Sequence, residues 1–307
     1  MRYRADLRTL LYLAATTGLF FYQWTRPGLA NWWLYPLSLL LGYTTAVISH
    51  NQNHLPMWKR SRILNLITNC WIGIFYGHPA IGWVPTHNQN HHKFNNREGD
   101  LSISPRFFKH NHLLAILTYP TVTSILQTPA IRKYIREART TNPRLFWEAI
   151  IEYTVFFGLM ITAFVINWEK ALVLLLIPQQ VALFLIQGTN YLQHIECDPE
   201  SRWNHSRNFE GWLLNAILFN NGVHTVHHYK PGIHWSETPK LHAEFAHRID
   251  PELRVPNMAL FLFDMYVLSF FRGESRPIRV KRPDREETML EPVVEKSAAK
   301  VELVEAV

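Results

Sequence analysis

Residues 220–228 read NNGVHTVHH, and their three histidines occupy positions i, i+3 and i+4. On a helix this spacing directs the three side chains from one face. Two earlier segments repeat the theme, because residues 50–54 read HNQNH and residues 87–92 read HNQNHH. Each segment lies at the end of an apolar run or just after one. Since imidazole binds transition metals well, the repeated clusters predict a histidine-rich metal site at a membrane surface.

A further histidine, His194, also follows an apolar run, which brings the number of candidate metal ligands to nine. They are His50, His54, His87, His91, His92, His194, His224, His227 and His228. Nine imidazoles are too many for one ion and suit two. The histidines outside these clusters are interpreted as ordinary packed or surface residues.

Long runs with almost no charge predict the membrane topology. Residues 9–24 and 27–49 form one pair of runs, and residues 149–168 and 171–191 form another. A helix needs about 20 residues to cross the ~30 Å hydrocarbon layer, so each run can nearly or fully span it. The short connection within each pair predicts an antiparallel hairpin. The first run is interpreted as an anchor and not as a removed signal peptide, since no clear cleavage site follows it.

Residues 63–86 are also uncharged, but asparagine, glycine and proline interrupt them. A complete crossing here would place His50 and His87 on opposite sides of the bilayer, which a single metal site forbids. We therefore expect this run to be peripheral or re-entrant. The predicted fold is all-α and integral to the membrane, with four transmembrane helices in two hairpins and a histidine-rich helical cap.

Basic residues predict the orientation of this fold. Twelve lysines and arginines lie between His50 and Glu148, whereas the two opposite loops offer only Arg26 and Lys170. By the positive-inside rule, the histidine clusters and both termini face the cytoplasm. The net charge of +7 is divided among the apolar runs, so it favours contact with membrane lipids and not with nucleic acid. The two cysteines form no CxxC zinc pattern.

The domain organisation follows from composition. Residues 1–272 contain the apolar runs and every histidine cluster, and we predict that they form one membrane domain. Residues 273–307 are charged and almost devoid of aromatic side chains, so we predict a disordered C-terminal tail.

The residues beside the histidines narrow the chemistry. Asparagine follows His50 and His87, and threonine follows His224, so the HExxH zinc-hydrolase motif with its general-base glutamate is absent from the sequence. The Glu-x-x-His pairs of soluble di-iron bundles are absent as well. A site of this kind beside a bilayer favours a redox metal that activates O2 against an apolar substrate. Two irons are the natural choice.

The order HxxxH, HxxxHH, hydrophobic hairpin and HxxHH resembles the integral-membrane fatty acid desaturase superfamily over roughly residues 34–247. This resemblance implies two iron ions that use O2 and two electrons to remove two hydrogens from a fatty acyl chain, linked to a lipid or to a carrier. It also implies that His194 is a ligand and that Asn190 contacts one iron through water. No cytochrome b5 heme motif is present in the sequence, so a separate electron donor resembling ferredoxin, rubredoxin or cytochrome b5 is expected.

Carboxylates and amides near the clusters are candidates to accept the free N–H groups of ligating imidazoles and so to orient them. Besides Asn190, they are Asp100, Glu196, Asp198, Asn220 and Asn221.

Two alternatives to a desaturase stay open on the sequence. A membrane di-iron hydroxylase of alkanes, lipids or carotenoids would carry similar histidines. The alternative from another class is a membrane protein that binds or transports metal ions. A transporter needs polar or ionisable groups along its spans, and Glu152 is the only charged residue in the four predicted spans, which makes this alternative the weaker one.

Overall fold

A computed structural model describes residues 1–284, which are mostly helical and contain four strands of two residues each. Its α-helices are α1 Asp6–Thr25, α2 Tyr35–His54, α3 Arg62–Tyr76, α4 His92–Phe94, α5 Leu113–Thr141, α6 Pro143–Ile166, α7 Trp168–Ala171, α8 Ile177–His194, α9 Trp212–Ile217, α10 His224–Tyr229, α11 Thr238–Phe245, α12 Met258–Phe263 and α13 Ser269–Arg272. Short 3-10 or π-helical turns connect several of them: Ala80–Gly82, Val84–His91, Leu172–Leu176, Ala246–Arg248, Pro251–Leu253 and Asp264–Leu268. The predicted helical class is confirmed.

The four strands form two small ladders that tie loops together. Strand β1, His110–Asn111, pairs antiparallel with β4, Arg276–Pro277. Strand β2, Asn208–Phe209, pairs parallel with β3, Arg254–Val255. Both ladders bring together segments that are far apart in the chain.

Two helical stretches among residues 1–284 are long and apolar enough to cross a membrane. They are α6 and the continuous stretch Trp168–His194, which runs from α7 through a π-helical turn into α8. Several large apolar side chains of helix α6 are exposed. The side chain of Val165, for example, is 81% exposed. These two helices coincide with the predicted second hairpin. Helices α1 and α2 are each 20 residues long but do not meet the same criterion, so their crossing stays a prediction.

Helix α2 is the centre of the packing, with α1, α3 and α8 around it. Its buried residues Ala46 and Val47 share one apolar cluster with Ala182 of α8. The hydroxyl groups of Tyr43 and Thr189 hydrogen-bond across the same contact at 2.5 Å. This packing brings the C-terminal ends of α2 and α8, which carry the first histidine cluster and His194, to the same end of the molecule.

The interrupted run at residues 63–86 turns back after a short helix. Helix α3 has 15 residues, fewer than the ~20 needed to span the hydrocarbon layer. It ends at Gly77, whose φ of +92° favours glycine and where an added Cβ would lie 2.6 Å from the Cβ of Gln179. The chain then passes through the turn Ala80–Gly82 into the second histidine cluster.

A buried carboxylate in α6 fixes this turn. Glu152 is 2% exposed, and its Oε1 accepts a hydrogen bond from the side-chain amide of Asn69 at 2.9 Å. Its Oε2 accepts from the backbone N–H of Ile81, also at 2.9 Å. One side chain therefore connects α6 with α3 and with the loop that leads to the histidines.

The first part of the predicted tail, residues 273–284, packs against loops and turns between α8 and α13. Arg276 pairs with Asp264 at 2.8 Å, and Arg282 pairs with Asp250 at 2.6 Å. Asp284 accepts a hydrogen bond from Ser201 at 2.5 Å. The arginines of this segment therefore meet acidic side chains of other loops. The rest of the predicted tail, residues 285–307, lies outside the described residues.

Replacing Glu152 by leucine should destabilise the fold, because Asn69 and the N–H of Ile81 would lose their acceptor. Each buried group left unpaired costs about 1–3 kcal/mol. We expect a lower midpoint of thermal unfolding in detergent, and a smaller decrease for Glu152→Gln, which keeps one acceptor oxygen. The matched control is Phe157→Leu on the exposed face of α6. Equal midpoints for Glu152→Leu and this control would contradict the role given to the carboxylate.

Candidate metal centre

The nine predicted histidines converge in two groups at the C-terminal ends of α2 and α8. The first group contains His50, His54, His87, His92 and His227, and the second contains His91, His194, His224 and His228. In each group the possible ligand atoms all lie within 4.8 Å of one another. The structure therefore brings together every histidine that the sequence singled out.

Each pair of adjacent histidines is divided between the two groups. His91 belongs to the second group and His92 to the first, while His227 belongs to the first and His228 to the second. Successive side chains on a helix with 3.6 residues per turn point about 100° apart, so neighbours can reach different sites. The two HH pairs hold the groups side by side.

The second cluster lies on a π-helical turn, Val84–His91, which ends where α4 begins. Such widened turns are rare and are frequently found at functional sites. Trp83 precedes the turn, and its ring meets the rings of His50 and His87 edge-on, at centroid distances of 5.3 and 5.0 Å. The indole thus packs against imidazoles from two clusters.

The third cluster along the chain, residues 224–228, is held by the loop that contains strand β2. The side-chain oxygen of Asn208 accepts hydrogen bonds from the backbone N–H groups of His224 and Thr225, at 2.9 and 3.0 Å. Gly222 allows the chain to approach this loop, because a Cβ there would lie 2.3 Å from the carbonyl oxygen of Phe209. The start of α10 is therefore fixed before its histidines reach the site.

Hydrogen bonds to Nδ1 orient three of the imidazoles. Nδ1 of His91 lies 2.8 Å from a carboxylate oxygen of Asp100, and Nδ1 of His194 lies 3.2 Å from the carbonyl oxygen of His205. Nδ1 of His50 lies 3.2 Å from the side-chain oxygen of Asn51. Because each partner is an acceptor, each Nδ1 carries the proton and each Nε2 presents a lone pair.

The arrangement of these lone pairs fits metal binding. Nε2 of His91 and Nε2 of His194 are 3.1 Å apart, and both are acceptors, so the contact is repulsive unless a cation lies between them. Two nitrogens bound at roughly 2.0–2.1 Å to one ion are separated by about this distance when they subtend an angle near 90°. Nε2 of His50 lies equally close to Nε2 of His87, at 2.9 Å, in the first group.

Burial favours the neutral form of several of these imidazoles. It lowers the pKa values of His87, His224, His227 and His228 well below the ordinary value for histidine, because a buried imidazolium loses its hydration. Repulsion between neighbouring imidazoles lowers these pKa values further. Neutral imidazole is the form that binds a metal.

Of the predicted orienting residues, Asp100 contacts a ligand candidate. Burial raises its pKa, but the electrostatic interaction with His91 and hydrogen bonds from His91 and Ser102 outweigh this effect and hold the pKa of the carboxyl group well below its usual range. Ser102 donates to the other carboxylate oxygen through its backbone N–H and its hydroxyl, at 2.8 and 2.7 Å. An ionised Asp100 is therefore fixed against Nδ1–H of His91.

The other predicted orienting residues contact no imidazole in the described part of the chain. Glu196 pairs with Arg207 at 2.9 Å, and Asp198 accepts the backbone N–H of Arg282 at 2.9 Å. A guanidinium group occupies Glu196 and backbone N–H groups occupy Asp198, so neither carboxylate orients an imidazole.

The three asparagines have other partners as well. The side-chain amide of Asn220 donates to the carbonyl oxygen of Trp235 at 2.9 Å, and that of Asn190 donates to the hydroxyl group of Tyr119 at 2.9 Å. Asn221 accepts a hydrogen bond through its backbone carbonyl and not through its side chain. Asn190 still lines the cavity beside the histidines.

Sequence reasoning missed four groups that position the histidines: Asn51, Ser102, Asn208 and the backbone carbonyl of His205. Asn51 was visible as the neighbour of His50. The others lie in loops whose path toward the site no periodicity reveals.

A cavity of about 190 Å³ adjoins both groups of histidines. His50 and His87 of the first group and His224 of the second form part of its wall. Helix α5 forms another part, through Ser124, Gln127, Thr128 and Ile131. The contribution of α5 to this wall was not predicted from the sequence, because its mixed composition indicates neither a span nor a binding surface.

The contact between His91 and Asp100 gives a testable expectation. Asp100→Asn keeps the size of the side chain but removes its charge and one acceptor, so His91 should be held less firmly. Loss of such an orienting partner typically weakens metal affinity about 10–100-fold. Competition with a chelator would measure this effect, with Asp198→Asn as the matched control that leaves the histidines untouched. An unchanged affinity for Asp100→Asn would contradict the assignment.

The chain was compared with known protein families and with curated individual proteins. A family model described as fatty acid desaturase matches residues 30–258. No curated protein matches the chain. The matched residues include all nine histidines, Asp100 and the cavity wall formed by α5 and α8. This chain is a member of the fatty acid desaturase family.

Proposed function

We propose that this protein is an O2-dependent di-iron oxidoreductase that introduces a double bond into a fatty acyl chain linked to a lipid or to a carrier. Family membership supports an oxidoreductase of the desaturase or hydroxylase type. The observation that carries the proposal is the convergence of nine imidazoles in two groups, members of which form the wall of one cavity.

Two iron ions bound by these groups would supply the oxidising chemistry, in which O2, two electrons and two protons are consumed as two hydrogens leave adjacent carbons, giving an alkene and two water molecules. Both groups consist of histidines, and imidazole suits zinc, copper and nickel as well as iron. The choice of iron therefore rests on the family. The chain itself orients the ligands, as Asp100 does for His91.

The cavity wall would position the acyl segment that reacts. His87 and His224 belong to different groups and line the same cavity, so a chain lying there is adjacent to both. Leu183 and Ile186 of α8 supply apolar contacts in the same wall. Burying hydrocarbon against them is favourable by roughly 25 cal/mol per Å². These contacts would also exclude water from the carbons that react.

The proposed membrane topology has four spans in two hairpins, with the histidines and both termini in the cytoplasm. Three observations support it. The histidines at the ends of α2 and α8 meet on one side, α3 is too short to cross, and basic residues are concentrated between the first histidine cluster and α6. Membership of a membrane-associated family is consistent with this topology.

The two alternatives differ in how the structure bears on them. A hydroxylase would use the same ligands, and only its product distinguishes it. A transporter would need a polar path for the ion. Both carboxylate oxygens of Glu152, the one ionisable residue in the four predicted spans, accept hydrogen bonds that hold the fold, which favours the enzyme.

A surface beside the second group is proposed to receive the electron donor. This Tyr229 patch comprises Arg202, Tyr229, Lys230 and Arg248, which surround the buried ring of Trp203. Tyr229 is 43% exposed and directly follows His228. The guanidinium groups of Arg202 and Arg248 lie 5.0 and 5.3 Å from the ring of Trp203. A small acidic redox protein complements a cationic and aromatic surface of this kind.

Metal content and product analysis together test the proposed function. We expect about two iron ions per chain, and a loss of about one for His227→Ala or His228→Ala, since each removes a ligand from a different group. His247→Ala, at an exposed position outside both groups, is the control. The full chain, supplied with reductant and a competent donor, should yield a lipid lighter by two hydrogens.

A product heavier by one oxygen would favour the hydroxylase instead. Bound zinc without iron, and no change in any lipid, would contradict the oxidoreductase assignment.

Reversing charge in the Tyr229 patch tests the donor surface. Lys230→Glu and Arg248→Glu should raise the KM for an acidic donor protein about tenfold at low salt, because electrostatic attraction speeds encounter, and high salt should reduce the difference. Lys133→Glu on α5 serves as the charge-matched control. Metal content and turnover with a small chemical reductant should stay unchanged. A KM that is insensitive to both substitutions would rule the patch out as the docking surface.

A further inference from the structure

The cavity beside the histidines contains a pair of glutamines that an acyl chain does not require. Gln127 comes from α5 and Gln187 from α8, and both line the cavity. The amide nitrogen of Gln187 donates a hydrogen bond to the side-chain oxygen of Gln127 at 3.2 Å. The pair thus joins two helices in the wall of the cavity.

This hydrogen bond engages one polar atom of each amide. The side-chain nitrogen of Gln127 and the side-chain oxygen of Gln187 have no hydrogen-bond partner among residues 1–284. Neither atom is sealed from solvent. The pair therefore presents one donor and one acceptor side by side to whatever occupies the cavity.

Neighbouring polar side chains are engaged elsewhere. The hydroxyl group of Ser124 donates to the carbonyl oxygen of Pro120, and that of Thr128 donates to the carbonyl oxygen of Ser124. The side-chain amide of Gln193 donates to the backbone of Asn221. Within the described residues, the glutamine pair offers an unbonded N–H and an unbonded carbonyl oxygen from two different helices of the wall.

A plain hydrocarbon in the cavity would displace water from these two groups without replacing its hydrogen bonds. A buried polar group left unpaired costs about 1–3 kcal/mol. Sites built to hydrogen-bond a substrate group reject analogues that lack it. The amide pair therefore favours a substrate that carries a donor and an acceptor of its own.

The size of the cavity places this polar group close to the carbons that react. Its volume of about 190 Å³ is smaller than the roughly 300–1,000 Å³ typical of a pocket that holds a whole ligand, so only a short segment of a substrate fits. The same cavity is lined by His87 and His224 and by the glutamine pair. The polar group and the reacting carbons of this segment are thus within a few bonds of each other.

We propose that Gln127 and Gln187 form a specificity subsite for a hydroxyl or amide group on the acyl substrate, a few bonds from the carbons that react. This inference rests on the proposed function for the identity of the acyl chain. A hydroxyl group and a secondary amide each contain a donor and an acceptor, whereas an ester or thioester carbonyl contains acceptors only. The substrate class is thus an acyl amide or a hydroxylated acyl chain.

Direct competition between matched probes tests the subsite. The full chain in lipid nanodiscs is offered an equimolar mixture of methyl dodecanoate, its α-hydroxylated analogue and N-methyldodecanamide, and the retained probes are quantified by mass spectrometry. We expect the hydroxylated probe, the amide or both to exceed the plain ester about tenfold, the factor that corresponds to one net hydrogen bond. The stronger of the two identifies the group that the subsite takes. Equal retention of all three probes would overturn the proposal.

The double variant Gln127→Leu, Gln187→Leu should remove this preference while retaining the plain ester at least as well as the parent chain. Gln180→Leu is the matched control, since it makes the same change at an exposed position of α8 outside the cavity and should leave the preference intact. If the double variant is not recovered folded, Gln127→Met alone replaces it, because it removes the free N–H at similar volume. A preference that survives these substitutions would overturn the proposal.

The binding result and the proposed function can fail separately. If the parent chain selects the polar probes but converts no lipid with iron and a competent donor, the oxidoreductase assignment fails and the subsite stands. If it converts lipids but shows no selection, the subsite fails and the oxidoreductase assignment stands.

Discussion

The contact on which the rest of the site depends is the one between the unprotonated nitrogens of His91 and His194, 3.1 Å apart. Two lone pairs at this distance repel each other, and burial removes the water that would otherwise separate them. The fold must therefore hold the two rings in place through their other nitrogens. Asp100 does so for one ring, and the carbonyl oxygen of His205 does so for the other. The fold thus holds two rings whose Nε2 atoms repel each other unless a cation lies between them. Such an arrangement is suited to binding a metal ion.

The scaffold serves this requirement by bringing four distant segments to one end of the molecule. Pairing of α2 with α8 sets the ends of two helices level, and the hydrogen bond between Tyr43 and Thr189 fixes their register. Glu152 fixes the turn before the second cluster, and Asn208 fixes the start of the third. The polar groups inside this apolar protein are therefore concentrated where the backbone must change direction. Buried hydrogen bonds are well suited to that task because their loss is costly.

The cavity combines two kinds of surface that ordinarily occur apart. Its histidines and aliphatic side chains suit an acyl chain near a redox metal, whereas Gln127 and Gln187 suit a polar group. The two lie within a volume too small for a long hydrocarbon. The wall that contains the amides comes partly from α5, a helix outside the histidine clusters. Within a family that shares the metal ligands, such a wall is where specificity for a substrate can differ.

The sequence by itself determined the helical class, the nine histidines and the interruption after α3, because these depend on local spacing and on glycine and proline. It also singled out Asp100, which lies close in sequence to the histidine that it orients. Glu196 and Asp198 looked equivalent, but a guanidinium group pairs with the first and backbone N–H groups bind the second. The division of each HH pair between two groups, the carbonyl oxygen that orients His194 and the role of α5 depend on how separate segments meet. Only the tertiary structure decided them, because no local pattern encodes which partner a polar group finds across the fold.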